Sequence, residues 1–256
     1  MKLSSWNVNS LKVRLPQVVD WLRLNQPDVL CLQETKLQDE LFPIDEISEA
    51  GYHAIFSGQK TYNGVALLSK VSTQAERCTA LPWLDDPQKR LVAATCNDVR
   101  IICVYVPNGE RVDSEKYSYK LEWLNALTGF LQEERKRHSK IVLLGDFNIA
   151  PADNDVYDPP AWAGKVLCSA PEREAFQKLL TTGLVDSFRL FTQPPKIYTW
   201  WDYRMMGFRR NHGLRIDHIL ISTELTSACT RCWVDVAPRK LERPSDHAPI
   251  TVELSL

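Results

Sequence analysis

Ile141-Val142-Leu143-Leu144-Gly145-Asp146-Phe147-Asn148 is the stretch on which the fold turns. Four consecutive aliphatic residues read as a strand buried on both faces, because a half-exposed strand would alternate with polar residues. The run then stops on an acid and an amide, groups that are costly to bury unless they are paired. The same pattern extends outward along the chain. Apolar runs at 3–8, 29–32, 65–68, 91–95, 101–106, 216–221 and 250–254 are bounded by Gly, Pro, Asn or Asp and predict further strands.

Helical periodicity appears between them. Leu15, Val18, Val19 and Leu22 share one face, and Pro27 ends that segment. Tyr117, Leu121, Leu124, Thr128 and Leu131 make a second stripe. Ser169-Ala-Pro-Glu172 is a capping-box signature ahead of Phe176, Leu179 and Leu180. Strands and helices in this order predict an α/β protein with two β-sheets packed face to face and helices outside. No Ser/Gly-rich linker or repeat divides residues 1–256, so one domain is expected. No G-x-G, Walker or G-x-S-x-G pattern is present, which excludes the nucleotide-binding and hydrolase motifs that those glycines build.

Composition narrows the class further. The 256 residues carry 31 Lys+Arg against 32 Asp+Glu, a net charge of −1, which excludes a wholesale basic coat and an acidic tail but permits a local basic surface. Seven cysteines, odd in number and set in apolar runs, read as reduced thiols of a cytoplasmic protein. Cys229-Thr-Arg-Cys232 has C-x-x-C spacing but no second pair, so it reads as thiols beside a strand rather than a zinc or redox site. The first residues lack the apolar core of a signal peptide. Six residues at 101–106 form the longest apolar run, too short for a bilayer, so no membrane partner is expected.

Five strand ends carry matched polar chemistry: Asn7, Glu34, Asp146 with Asn148, Asp217, and Asp246 with His247. Singly, each has an ordinary reading as a turn former or a solvated end. Together they describe a cleft of carboxylates, amides and one imidazole. Oxygen donors suit Mg²⁺ or Mn²⁺, and crowded carboxylates repel one another unless a cation or proton intervenes. A Ser-His-Asp triad is a poor fit, because Ser245, Asp246 and His247 are adjacent in sequence.

Ser5-Trp6-Asn7, Leu32-Gln33-Glu34-Thr35, Val104-Tyr105-Val106-Pro107-Asn108-Gly109, Gly145-Asp146-Phe147-Asn148, Leu214-Arg215-Ile216-Asp217 and Ser245-Asp246-His247 resemble, in order and spacing, the motif series of the exonuclease III / AP endonuclease family. That family lies within the endonuclease/exonuclease/phosphatase superfamily, and the resemblance runs nearly end to end. It implies a four-layer α/β sandwich with two packed mixed β-sheets flanked by helices. It also implies Mg²⁺-dependent hydrolysis of DNA 5′ to abasic sites, with 3′-5′ exonuclease and 3′-phosphodiesterase activity. Mn²⁺ is expected to substitute. Carried over by motif, Glu34 is the principal metal ligand, with Asn7 and Asp246 close to the metal. Asp146, Asn148 and His247 complete the candidate metal set. Asp146 matches the residue that handles the attacking water. Asn148 and Tyr105 match phosphate or leaving-group positions, and His247, oriented by Asp217, matches the transition-state stabiliser. Two positions depart from the eukaryotic branch, which has Asp where Asn9 stands and Trp where Leu214 stands.

The segment 196–218 holds five Lys or Arg against two Asp, a net +3 that leaves −4 for the remaining chain. Tyr198, Trp200, Trp201, Tyr203 and Phe208 interleave with those cations, as in surfaces that bind phosphates and stack on bases. Arg204, Arg209 and Arg210 are expected on a DNA-facing loop. By family position, Trp200, Leu214 and Ile216 wall a pocket for a flipped-out abasic sugar, with Leu167 beside it. Lys36 and Arg173 are further candidate phosphate contacts. Double-stranded DNA with abasic sites or 3′ ends is the expected partner, and the protein is expected to be monomeric. The competing readings are a phosphatase of the same superfamily acting on phosphoinositide or sphingomyelin, and a non-catalytic DNA-binding relative.

Overall fold

The computed structural model describes the backbone of residues 1–256 and the side chains of all but residues 74–77. In chain order the strands are β1 (Lys2–Asn7), β2 (Val29–Gln33), β3 (His53–Ser57), β4 (Val65–Ser69), β5 (Gln74–Cys78), β6 (Leu91–Cys96) and β7 (Val99–Tyr105). They continue with β8 (Ile141–Asp146), β9 (Leu184–Asp186), β10 (Trp200–Trp201), β11 (Gly213–Leu214), β12 (Asp217–Ser222), β13 (Cys229–Val234) and β14 (Ile250–Leu254). The helices are α1 (Leu11–Asn25), α2 (Ile44–Glu49), α3 (Glu115–Arg137), α4 (Pro159–Trp162), α5 (Ala170–Leu180) and α6 (Gly207–Arg210).

Two six-stranded sheets form, in the orders β13-β14-β1-β2-β4-β3 and β5-β6-β7-β8-β12-β9. Each is mixed: β1 runs parallel to β2 and β7 parallel to β8, while the other neighbours are antiparallel. Alternation along each strand divides its side chains between two cores. Leu3, Cys31, Leu67, Cys103, Leu144 and Ile219 point into the layer between the sheets. Leu30, Leu32, Ala66 and Leu68 pack outward with Val18, Trp21 and Leu22 of α1 and Ile47 of α2. Ile102, Val104, Ile141 and Leu143 pack outward with Trp123, Leu127 and Phe130 of α3 and Phe176 and Leu179 of α5. The result is the four-layer sandwich that the family resemblance implies, and burial on both faces explains the unbroken apolar runs.

The stripe read along the second long helix is partly corrected. Tyr117, Leu124, Thr128 and Leu131 are buried as expected, but Leu121 is only half-buried, and Lys120 and Glu134 occupy the core-facing side. The Ser169–Glu172 capping box opens α5 as expected. Cys229 and Cys232 lie in β13, and all seven cysteines are free. Among the described residues, no helix is long and apolar enough to cross a membrane.

Candidate active site

Sheet register brings the polar strand ends to one rim. Asn7 pairs with Gln33 at the ends of β1 and β2, and Asp146 pairs with both Tyr105 of β7 and Asp217 of β12. Gly145 makes this junction possible: a Cβ there would stand 1.9 Å from the Val104 carbonyl oxygen. Glu34, just past β2, has φ 52, a left-handed backbone that costs an ordinary residue about 1–2 kcal/mol. Its carboxylate turns back over the rim, so ligand atoms of Glu34, Asp146 and His247 all lie within 4.8 Å of one another.

Hydrogen bonds fix the acids. Asn7 Nδ2 donates to Glu34 Oε1 and to Asp146 Oδ2, each at 2.9 Å. The Asn148 amide N–H donates to Asp146 Oδ1 at 2.9 Å. Lys36 Nζ pairs with Glu34 Oε2 at 2.9 Å. On the imidazole side, His247 Nδ1 lies 2.8 Å from Asp217 Oδ2, and Nε2 lies 3.8 Å from Asp146 Oδ2. Burial alone would depress the His247 imidazolium, but the Asp217 and Asp146 carboxylates outweigh it and push it up to about 10. Burial raises Asp146 above the usual carboxylate range against the pull of His247. Burial, followed by Glu34 and Asp146, raises the Tyr105 phenol well above its ordinary value, so it keeps its proton.

This donor set fits a hard divalent cation, because two carboxylates converge where their mutual repulsion favours one. The six residues expected around a metal are not equivalent, however. Asn7 turns its nitrogen, not its oxygen, toward the carboxylates, since Oδ1 accepts from the Asn9 amide at 3.0 Å. Asn148 Oδ1 accepts from Asn108 Nδ2 at 3.0 Å, and its own Nδ2 is spent on Val106 O and Asp146. Asp246 stands apart, with Oδ1 accepting from Asn9 Nδ2 and Oδ2 from Trp200 Nε1. Those donors and His247 outweigh burial and hold Asp246 below the usual range. His247 Nδ1 is engaged by Asp217, and Nε2 is the ring nitrogen that faces Asp146. Glu34 and Asp146 are the two members of the cluster that offer carboxylate oxygens to a cation.

The expected DNA contacts sort unevenly. Arg204, Arg209 and Arg210 are exposed. Arg204 also lines a cleft of about 1060 Å³ that runs past Tyr105, with Gln59, Tyr62, Arg90 and Asn108 on its walls. Lys36 is tied to Glu34 and to Asn9 Oδ1, so it serves the acid rather than standing free. Arg173 holds Ala150 O at 3.1 Å and Asp153 at 2.8 Å, and so braces a loop. Leu214 and Ile216 are 0% and 1% exposed and share a closed apolar cluster with Leu167, beside half-buried Trp200. As the structure stands, neither presents a surface to DNA. Tyr198 and Trp201 are core residues, and Trp201 meets Phe208 edge-on at 5.1 Å. The exposed apolar groups of the segment are Tyr203, Met205 and Met206 instead.

Several positioning groups were given no role from the sequence, although Ser245 lies within a quoted motif. Ser245 Oγ donates to Asn7 O and accepts from the His247 amide, joining two strand ends. Thr199 Oγ1 accepts from the amides of Ile216 and Asp217. Arg90 lies over the Tyr105 ring at 4.8 Å. Each is common in sequence and becomes informative only when the chain is folded.

Comparison with known proteins agrees with this fold. The model of the Endonuclease/Exonuclease/phosphatase family matches residues 4–247. Exodeoxyribonuclease III of Haemophilus influenzae is 37% identical across 99% of both chains. A solved structure of the Neisseria 3′ phosphatase NExo, bound to a product DNA hairpin, is 52% identical with a TM-score of 0.98 over 100% of both chains. An AP endonuclease from Archaeoglobus fulgidus is 38% identical with a TM-score of 0.95, also over 100% of both. The chain therefore belongs to the Endonuclease/Exonuclease/phosphatase family, on its exonuclease III / AP endonuclease side.

Proposed function

We propose that this protein is a metal-dependent DNA-repair nuclease. It hydrolyses phosphodiesters 5′ to abasic sites and processes 3′ ends as a 3′-5′ exonuclease and 3′-phosphodiesterase. One observation carries the reading: three strand ends deliver Glu34, Asp146 and His247 to a single 4.8 Å cluster, beside a cleft that Arg204 helps to line. The relatives are named for DNA nuclease or DNA 3′-phosphatase chemistry, which favours this reading over the lipid phosphatase.

Glu34 and Asp146 would hold the cation, Mg²⁺ or in its place Mn²⁺, which would neutralise phosphate oxygens and act as a Lewis acid. The protein's own groups do the rest. Asp146, steadied by Asn7 and Asn148, holds the attacking water and takes up its proton. His247 keeps Nδ1–H on Asp217 and directs Nε2–H at a non-bridging oxygen. Tyr105, still protonated, stands ready to donate to the leaving oxygen. Asn148 acts mainly by holding Asp146, which leaves exposed Asn108 as the amide open to the phosphate side. Arg204, Arg209 and Arg210 bind backbone phosphates.

Duplex DNA carrying one abasic site, a recessed 3′ end or a 3′-phosphate should be cut with Mg²⁺ and spared with EDTA. Glu34→Gln and Asp146→Asn should abolish turnover while DNA binding persists. Cleavage that survives EDTA overturns the metal reading, and hydrolysis of phosphoinositide or sphingomyelin alone overturns the DNA reading.

A further inference from the structure

Lys120 and Glu172 are both fully buried, and they form an ion pair under the floor of the rim. The Lys120 ammonium spends its three donors on Glu172 Oε1, the Asn148 carbonyl at 2.6 Å and the Asn108 carbonyl at 3.1 Å. Glu172 Oε1 also accepts from the Leu167 amide at 2.9 Å, while Oε2 accepts from the amide and hydroxyl of Ser169. The Tyr117 and Ser169 hydroxyls meet at 2.6 Å.

Two ordinary explanations leave part of this unaccounted for. Capping α5 requires only the Ser169 half of Glu172. Stability is a weak reason for the pair, because apolar residues of equal volume often replace a buried ion pair without loss. Apolar residues could not, however, hold three backbone segments, at Asn108, Asn148 and 167–169, at fixed hydrogen-bond distances. One of those segments needs holding. Leu167 sits at φ 74, a conformation that a branched residue keeps only when its surroundings over-determine it. Its amide is held by Glu172 and its carbonyl accepts from Ala150 at 2.7 Å. So held, its side chain closes over Leu214 and Ile216 in one apolar cluster.

We infer that the Lys120–Glu172 pair is a positioning device for substrate selection. It locks the loop carrying Asn148 to the loop carrying Leu167 and thereby keeps Leu167 packed over Leu214 and Ile216, where the family resemblance expects a pocket. The inference rests on the nuclease reading for the meaning of that pocket. Loosening the pair frees Leu167 and admits an extruded abasic sugar more readily, while the 3′-phosphate reaction gains nothing.

The test compares kcat/KM on an abasic-site duplex and on a recessed 3′-phosphate for the parent, Glu172→Gln, Leu167→Gly and the double variant, with Asp146→Asn alongside. Glu172→Gln should raise the abasic-to-3′-phosphate ratio by about tenfold, within the range that small misplacements cost. In the Leu167→Gly background it should change nothing, because glycine adopts positive φ without a clamp. A purely structural role lowers the folded fraction and scales both substrates equally. An unchanged ratio in Glu172→Gln, a shift in the other direction, or an equal shift in the glycine background overturns the inference. If Glu172→Gln does not fold, Lys120→Met/Glu172→Leu takes its place with the same expectations. A parent that cleaves neither DNA substrate overturns the nuclease reading instead, and Asp146→Asn checks that the activity comes from this site, so the two failures stay distinguishable.

Discussion

Asp217 Oδ2 stands 2.8 Å from His247 Nδ1, with both side chains almost wholly buried and Asp217 Oδ1 without a hydrogen-bond partner among the described residues. The carboxylate therefore has one evident task, to orient the imidazole and keep it protonated. Burial opposes the charge on His247, and the acids reverse that effect to reach about 10. The folded-state value lies above the ordinary histidine value, so the protonated, active form is present below it and is lost as pH rises through it.

Asp217→Asn should therefore reduce kcat by about 10²–10⁴-fold, the usual worth of a positioned acid or base. It should also move the alkaline limb of the pH–rate profile to lower pH, because the charge that held the proton is gone. Binding of an abasic duplex in EDTA should be little changed. A variant with reduced kcat but an unmoved alkaline limb would take His247 out of the proton-donating role.

Asn7 donates to Glu34 and Asp146 at once, so one amide bridges two like charges. Asn7→Ala leaves them facing each other unbridged. In EDTA the variant should lose about 1–3 kcal/mol, the cost of stranding charged hydrogen-bond partners. For a protein of this size each kcal/mol is about 2–4 °C in Tm. Saturating Mg²⁺ should narrow the gap between variant and parent, because a cation takes over the bridging. Thermal melts with and without Mg²⁺ check this, and a gap of the same size in both argues against a cation between these carboxylates.

The sheets and the rim were legible in the sequence for the same reason. Strands with both faces buried write long apolar runs, and a polar residue at the end of such a run stands out. Within the two six-stranded sheets, the strands without that signature, β3, β5, β9 and β13, are the four edges. An edge strand lacks a neighbour on one side and carries fewer apolar residues, as His53–Ser57 and Gln74–Cys78 do. Contacts between distant segments were not legible. Lys120 on an otherwise apolar helix face looks like a break in periodicity until Glu172 and two carbonyls are seen around it. Trp200, Leu214 and Ile216 read as a pocket wall, but the sequence does not say that Leu167 fills the space before them.

Leu167 is 5% exposed and sits at φ 74, so its side chain and its backbone pull in opposite directions. Removing the buried side chain costs about 2–5 kcal/mol, while glycine recovers about 1–2 kcal/mol of backbone strain. Leu167→Gly should therefore fold with a net loss of about 0–4 kcal/mol. With Leu214 and Ile216 uncovered, incision at abasic sites should gain relative to hydrolysis at 3′ ends. Paired assays on the two substrates, together with a denaturant melt, read both effects. An unchanged ratio would mean that Leu167 packs the pocket without governing what enters it.

A net charge of −1 leaves the basic surface of this protein local rather than general. Among the expected contacts, Lys36 and Arg173 are engaged by Glu34 and Asp153, while Arg204, Arg209 and Arg210 are exposed on one short segment. Each phosphate neutralised by such a cation steepens the fall of log K with log salt by about 0.9. Arg209→Ala and Arg210→Ala should each flatten that slope by up to about one unit and weaken binding similarly across DNA sequences. Lys36→Ala should behave differently. Its ammonium is already paired with the Glu34 carboxylate, so its loss should alter turnover and metal affinity more than the salt slope. Fluorescence anisotropy on an abasic duplex across a salt series separates the two classes. A Lys36→Ala slope change as large as that of Arg209→Ala would mean that the lysine leaves Glu34 for the DNA when substrate binds.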